Sequence, residues 1–264
     1  MSDPAATELL KLDGIGIRFG GLVAIADLSF SVGSGEVVSL IGPNGAGKTT
    51  AFNIITGFCA PSHGSISFRG QPLNGLKPHE IAGRGVVRTF QKTSLFDTLT
   101  VLENVLTGLH RLGRSGALQV LLGLPSVGAE QRRLCERAAE ILDFVGLGGR
   151  QDQLANALPY GEQRLLGVAI ALAADPALLL LDEPVSGMNA TETTSFMAIL
   201  AKIRARGITT LLVEHDMRMV MEVSDRVVVL NQGRIIASGV PSEIQRHPEV
   251  IQAYLGQGRR RARH

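Results

Sequence analysis

The run GPNGAGKTT carries Gly42, Pro43, Asn44, Gly45, Ala46, Gly47, Lys48, Thr49 and Thr50, and its first eight residues fill a phosphate-binding pattern in full. Glycines here let backbone N–H groups turn toward phosphate oxygens, and a helix starting at the end of the loop adds the positive end of its dipole. In that frame Lys48 bridges the β- and γ-phosphates of a nucleotide, and the Thr49 hydroxyl ligates Mg²⁺. A second group stands in LLLLDEP, where Asp182 and Glu183 end an apolar run. Asp182 suits a Mg²⁺ contact through water, and Glu183 suits polarising a water for in-line attack. His215, in LLVEHD, ends another apolar run and can donate to the γ-phosphate while bracing that water. Gln91, closing VVRTFQ, offers a neutral side chain to Mg²⁺ or water. Phe19 precedes the phosphate loop on a β-like segment and can stack on adenine.

LPYGE, from Leu158 to Glu162, sits just ahead of the helix-like EQRLLGVAIALAA. It reads in two ways, as a phosphate-contacting turn with unusual residues or as the start of a buried helix. Proline suits the first turn of a helix, where its missing N–H costs little.

These groups work together only if alternating strands and turns bring them to one place. EVVSLI leads directly into the phosphate loop, GSISFRG and GVVRTFQ are glycine-led β-rich runs, and ALLLLDE reads as a fully buried parallel strand. Helices are expected near 190–206 and 217–224, with strands at ITTLLVEH, RVVVL and GRIIASG. Ligands of parallel sheets gather at the carboxyl ends of the strands, where Asp182, Glu183 and His215 fall. Between Thr100 and Ala174 the pattern turns helical, as in VLENVLTGLH and CERAAEILDFVGL. The expected fold class is α/β: a P-loop NTPase core of mainly parallel sheet, an N-terminal antiparallel β subdomain and an inserted helical subdomain. The expected boundaries are about 7–99 and 175–256 for core and β subdomain, and about 100–174 for the helical part. The glycine- and leucine-rich stretch 108–128 fits either a partner-facing element or ordinary helix packing. GIGIRFG at 14–20 does not fit dinucleotide-binding spacing.

The chain has 264 residues and a formal net charge of +2, and its last six, RRRARH, hold four arginines. The remainder is therefore near −2, which excludes an electrostatic nucleic-acid binder. The basic tail, 257–264, is expected to be disordered. Cys59 and Cys135 are far apart and read as reduced thiols. The start, MSDPAATELLKL, has no basic region followed by an apolar one, so no signal peptide is expected. Asp175-Pro176 breaks the longest apolar stretch, Leu165–Leu181, so no membrane span is expected and any membrane link runs through a partner.

Taken in order, these motifs resemble the ATP-binding subunit of an ATP-binding cassette (ABC) transporter over about residues 7 to 256. TFQ resembles the glutamine loop, LPYGE the signature, LLLLDE the metal strand, SGMN the dimer loop with Asn189, and EHD the histidine switch. RFGGLVAI, GVVRTFQ followed by LFDTLTVLENV, DEPVSGMN, LVEHDM and HPEVIQAYLG are similar to branched-chain amino acid importer ATPases, of the larger of two subunit types. The resemblance implies ATP and Mg²⁺ as ligands and a second ABC ATPase as partner, a heterodimer being expected and a homodimer the alternative. It further implies two transmembrane permease subunits, an indirect periplasmic substrate-binding protein, and a peripheral place on the cytoplasmic face of a bacterial-type inner membrane. Two such ATPases close head to tail, each site joining one chain's phosphate loop to the other's signature. Gln91 and its surroundings would couple to the membrane subunits.

The departures fall in the signature. Pro159 stands at the usual serine and Tyr160 at the first glycine, while Gly161 is retained to meet a partner's ATP; Asn189 replaces the usual dimer-loop aspartate. Pro159 would weaken the partner's site, not the one built on Lys48 and Glu183. The alternatives are a lipopolysaccharide-export-type ABC ATPase, a soluble non-transport ABC ATPase and a non-hydrolysing interaction module. The stretch 108–128 favours import, the lack of sustained heptads disfavours the soluble class, and the intact Asp182-Glu183 pair disfavours the last.

Overall fold

The computed structural model describes residues 8–89, 95–109 and 125–261. These divide into two compact units, one drawn from Met1–Arg88, Ala177–Glu183 and Leu200–His264, the other from Thr89–Pro176 and Pro184–Ile199. The segment 184–199, expected with the core, thus groups with the second unit.

The first unit is built on a ten-stranded mixed sheet. Its antiparallel part begins with β1 (Glu8–Phe19) and β2 (Leu22–Gly33), joined by a tight turn at Gly20-Gly21. Burial along β2 alternates, with Leu28, Phe30 and Val32 inward, as befits a sheet with one covered face. Residues 14–19 of GIGIRFG lie inside β1, and Gly20 opens the turn that follows it. β3 (Val37–Ile41) enters the phosphate loop, from which α1 (Lys48–Ile55) departs. β4 (His63–Phe68) pairs with β1 and with β5 (Gln71–Pro72); α2 (Pro78–Gly83) and β6 (Val86–Arg88) follow.

The parallel part runs β9-β3-β8-β7-β6, with β7 (Leu178–Asp182), β8 (Thr209–Val213) and β9 (Arg226–Asn231). β3, β7 and β8 are buried at every residue. Covering both faces explains why LLLLD carries no alternation, and each leucine so buried contributes about 1.5–3 kcal/mol. β10 (Arg234–Gly239) returns antiparallel to β9 and meets β2 at Arg234 and Asp27. Mixed sheet and helices together make the P-loop NTPase α/β class expected from the sequence.

The second unit is helical: α3 (Val101–Leu109), α4 (Pro125–Val145), α5 (Tyr160–Ala173) and the start of α6 (Ala190–Ala205). α3 opens with a reciprocal cap in which the Thr100 N–H donates to Glu103 Oε2 at 2.8 Å and the Glu103 N–H to Thr100 Oγ1 at 3.2 Å. Gly108 lets α3 lie close on α5, since a Cβ there would come within 2.5 Å of the Ile170 carbonyl oxygen. Residues 110–124 of the 108–128 stretch lie outside the described residues. α5 ends before Asp175, whose φ of 52° makes the turn expected at Asp175-Pro176.

α7 (Met217–Val223), α8 (Pro241–Ile244) and α9 (Pro248–Arg261) complete the first unit. α9 runs on to Arg261, so residues 257–261 of the tail expected to be disordered are helical. Cys59 and Cys135 are both free thiols. Among the described residues no helix is long and apolar enough to cross a membrane.

Candidate functional site

The loop from Gly42 to Thr50 takes its shape from three left-handed glycines, Gly42, Gly45 and Gly47, with φ of 150°, 79° and 110°. At Gly42 any side chain is excluded twice, by φ and because a Cβ would overlap the Leu230 carbonyl oxygen. Pro43 and Ala46 are buried and close the loop through an Ala46 N–H bond to the Pro43 carbonyl of 3.1 Å; Asn44, Gly45 and Thr49 are exposed and Thr50 half-buried. Gly47 is the N-cap of α1 and offers no side-chain cap. The first N–H groups of the helix therefore need an external acceptor, which a phosphate supplies.

Lys48 folds back over the loop, its ammonium donating to the carbonyls of Gly42 at 2.7 Å and Pro43 at 3.1 Å. Burial pushes its pKa below the ordinary lysine value, and the Glu183 and Asp182 carboxylates oppose that shift. Loop and acidic pair thus act on one another electrostatically.

β7 ends at Asp182, and the next residue breaks pattern: Glu183 is left-handed at φ 48°, with its N–H donated to the Val213 carbonyl at 2.8 Å. A non-glycine residue held there costs on the order of 1 kcal/mol and persists only where the surroundings enforce it. The twist turns the Glu183 carboxylate to the end of β8, where Oε1 lies 2.7 Å from His215 Nε2. The Glu214 carboxylate accepts the N–H of His215 at 2.9 Å, and Asp216 caps α7 by accepting from the Met219 N–H at 3.0 Å. Each residue of EHD thus has a contact of its own: Glu214 holds the histidine backbone, His215 meets Glu183, and Asp216 starts the helix.

Asp182, expected to contact Mg²⁺ through water, already has a protein partner. Its Oδ2 accepts a 2.6 Å bond from Arg88 Nη2, and both side chains are almost fully buried. Arg88 stands in plain sight inside VVRTFQ, and a charge in an apolar β run was the signal that could have found it, because a buried charge needs a partner. Gln91, three residues on, lies outside the described residues. Phe19 ends β1 half-exposed at the hairpin turn. The start of β2 passes the loop closely, with a Cβ on Gly47 coming within 2.9 Å of the Ala24 carbonyl oxygen.

A residue the motifs miss reaches the loop from the C-terminal helix. The Tyr254 phenol is pushed above its usual pKa by burial, against a hydrogen bond with the Gly42 backbone. Nothing in HPEVIQAYLG distinguishes that tyrosine from a packing residue until the chain is folded.

In the second unit, LPYGE is a helix start. Pro159 is the N-cap of α5, with extended backbone, and Tyr160 the first helical residue. The tyrosine hydroxyl accepts from Arg164 Nη2 at 2.6 Å, and the guanidinium stands 5.1 Å from its ring centre. The ring also packs on Gly187, where a Cβ would come within 2.8 Å of it. Gly161 is buried against Glu192, whose carboxylate would lie 2.6 Å from an added Cβ. Leu158 is buried, and Glu162 accepts from Arg150 at 3.1 Å.

Asn189 caps α6. Its Oδ1 accepts from the N–H groups of Thr191 and Glu192 at 2.9 and 3.0 Å, and Glu192 Oε2 accepts the Asn189 N–H at 2.8 Å. Asn189→Ala is expected to cost about 1 kcal/mol in urea unfolding, whereas Asn189→Asp stays within about 0.5 kcal/mol, because both amide and carboxylate oxygens cap well. Equal losses from the two would mean that the amide does something other than cap.

Among the described residues no three His, Cys, Asp or Glu form a metal site by themselves. Thr49 and Asp182 still fit a hard cation that takes most of its oxygens from water and phosphate, the habit of Mg²⁺. The described site can therefore bind a nucleoside triphosphate by its phosphates and present a carboxylate–imidazole pair to a water.

Residues 25–186 match the family described as ABC transporter, and residues 234–259 match the one described as branched-chain amino acid ATP-binding cassette transporter. The chain is 45% identical over 258 residues to the high-affinity branched-chain amino acid transport ATP-binding protein LivG of Escherichia coli K12, covering 97% of this chain and 100% of that one. It is 44% identical to BraF of Pseudomonas aeruginosa, of the same description, covering 94% and 98%. Among solved structures it is similar to the ADP conformation of an ATP-binding cassette of an ABC transporter, with a TM-score of 0.83 and 32% identity over 95% of this chain and 99% of that one.

Proposed function

The chain belongs to the ABC transporter family of ATP-binding subunits, and on that premise we propose that it is the ATPase that powers an importer of branched-chain or related amino acids. The observation that carries the reading is the Glu183–His215 pair, 2.7 Å apart at neighbouring strand ends, electrostatically linked to Lys48 on the phosphate loop. The likeness to branched-chain transport ATPases over nearly the whole chain, including 234–259, supports the substrate class.

In this reading the loop N–H groups, Lys48 and the start of α1 hold the triphosphate of ATP, and Phe19 stacks on adenine. Glu183 takes a proton from a water oriented by His215. That water's oxygen bonds to the γ-phosphorus as the bond to the β–γ bridging oxygen breaks, giving ADP and inorganic phosphate. Thr49 and Asp182 would hold Mg²⁺, with Gln91 as a further ligand, and the ion would neutralise phosphate charge. The signature, Leu158 to Glu162, and Asn189 face a second ATPase subunit at the cytoplasmic face of the inner membrane, and two permease subunits, served from the opposite side by a periplasmic binding protein, complete the assembly.

Proteoliposomes holding the paired ATPases and permeases, with the binding protein outside, test this directly. Uptake of labelled leucine that needs this chain and internal ATP is the expected result. ATP turnover stimulated only by lipopolysaccharide-exporting permeases, or no turnover at all, would overturn it.

A further inference from the structure

Arg88 is placed by the register of the sheet. It stands opposite Leu180 in the parallel pairing of β6 with β7. Leu180 and Asp182 share one face of β7, so an arginine on that face, leaning along the strand, meets Asp182. Its side chain is 7% exposed and that of Asp182 6%, with 2.6 Å between Nη2 and Oδ2.

The other arm of the same guanidinium donates to Asn53 Oδ1 at 2.7 Å. Asn53 lies on α1 four residues after Thr49, and residues so spaced stack on one helix face. Asn53 is itself pinned, since its carbonyl accepts the N–H groups of Phe58 and Cys59 at 2.8 and 3.2 Å. The guanidinium also lies 5.4 Å from the ring centre of Phe52, which is fully buried. Arg88 therefore spans from the helix that carries Thr49 to the strand that carries Asp182. A planar fork can do this in one fixed geometry, and an ammonium cannot.

From these contacts we propose that Arg88 is a positioning residue of the hydrolytic site, bracing Asp182 against Asn53 so that the carboxylate and the Thr49 hydroxyl are held in register for the metal–nucleotide complex. The proposal rests on the Mg²⁺-dependent ATP-binding reading above. A bond through Oδ2 is compatible with a metal-side contact through Oδ1. The arginine also supplies the positive charge that a buried carboxylate requires before any cation arrives.

The test uses the purified full chain and Mn²⁺ as probe, with free Mn²⁺ followed by electron paramagnetic resonance in the presence of ADP. Binding of a fluorescent ATP analogue in chelator is measured in parallel. Arg88→Lys keeps the charge and loses the fork, and is expected to weaken Mn²⁺ binding about 10- to 100-fold. Asn53→Ala removes one arm only and is expected to weaken it by about 10-fold, the low end of such supporting contacts. In both, affinity for the metal-free nucleotide stays within about twofold of wild type, because the N–H groups that hold phosphate belong to the loop and the start of α1. Wild-type Mn²⁺ affinity in either folded variant, or a parallel loss of metal-free nucleotide binding, would overturn the proposal. If Arg88→Lys does not fold, Asn53→Ala decides. If wild type binds nucleotide but takes up no Mn²⁺ with it, the Mg²⁺-dependent reading falls and the proposal with it.

Discussion

Glu183→Gln is expected to lower ATP turnover by about 10²- to 10⁴-fold, the range a positioned proton acceptor supplies, while leaving ATP affinity within about twofold. Glutamine keeps the length of the side chain and an oxygen for His215, so the 2.7 Å contact can persist without the negative charge. What is lost is the acceptor for the water's proton. His215→Ala is expected to cost less, because the histidine orients that water and does not itself take its proton. Steady-state phosphate release and equilibrium nucleotide binding, measured on the same preparation, separate the two effects. A Glu183→Gln protein that still turns over within tenfold of wild type would move the proton acceptor elsewhere. In a heterodimer, the change here is expected to cost more than the matching change in the partner. This chain's loop and acidic pair are intact, whereas its own signature, which in the proposed heterodimer would serve the partner's ATP, carries Pro159 and Tyr160. Equal losses would argue against unequal sites.

Lys48→Ala is expected to weaken ATP binding by about 10²-fold, since a charge-assisted hydrogen bond contributes about 1.5–3 kcal/mol and each 1.4 kcal/mol is a factor of ten. Before nucleotide arrives, the ammonium serves the loop itself through its bonds to the Gly42 and Pro43 carbonyls. Alanine removes that brace and also a cation beside Asp182 and Glu183. Titration with a fluorescent ATP analogue reads the affinity, and thermal unfolding without ligand reads the loop. Unchanged affinity would mean that the loop N–H groups hold the phosphates without the lysine.

Much of this site was legible because its chemistry is local. A phosphate loop is eight consecutive residues, and the left-handed φ values of Gly42, Gly45 and Gly47 are what those glycines are for. Asp182, Glu183 and His215 could be placed at strand ends because buried parallel strands write uninterrupted apolar runs, so a polar residue at the end of one stands out. LPYGE was legible only in outline. That it begins a helix follows from its composition, but its tyrosine lies on Gly187 and its glycine lies under Glu192, two partners some 30 residues away in sequence.

The sequence by itself determined the class of fold, the phosphate loop, the order of the motifs and the family, because each depends on residue type and short-range spacing. Only the tertiary structure decided which charges are paired. Arg88 and Asp182 are 94 residues apart, Glu183 and His215 32, and both pairs are made by strands lying side by side in an order the chain does not spell out. A buried charge announces that it needs a partner, but sheet register chooses the partner. The left-handed turn at Glu183 belongs to the same kind of information. No local preference puts a glutamate at φ 48°, and it is the bond from its N–H to the Val213 carbonyl on the neighbouring strand that helps hold it there.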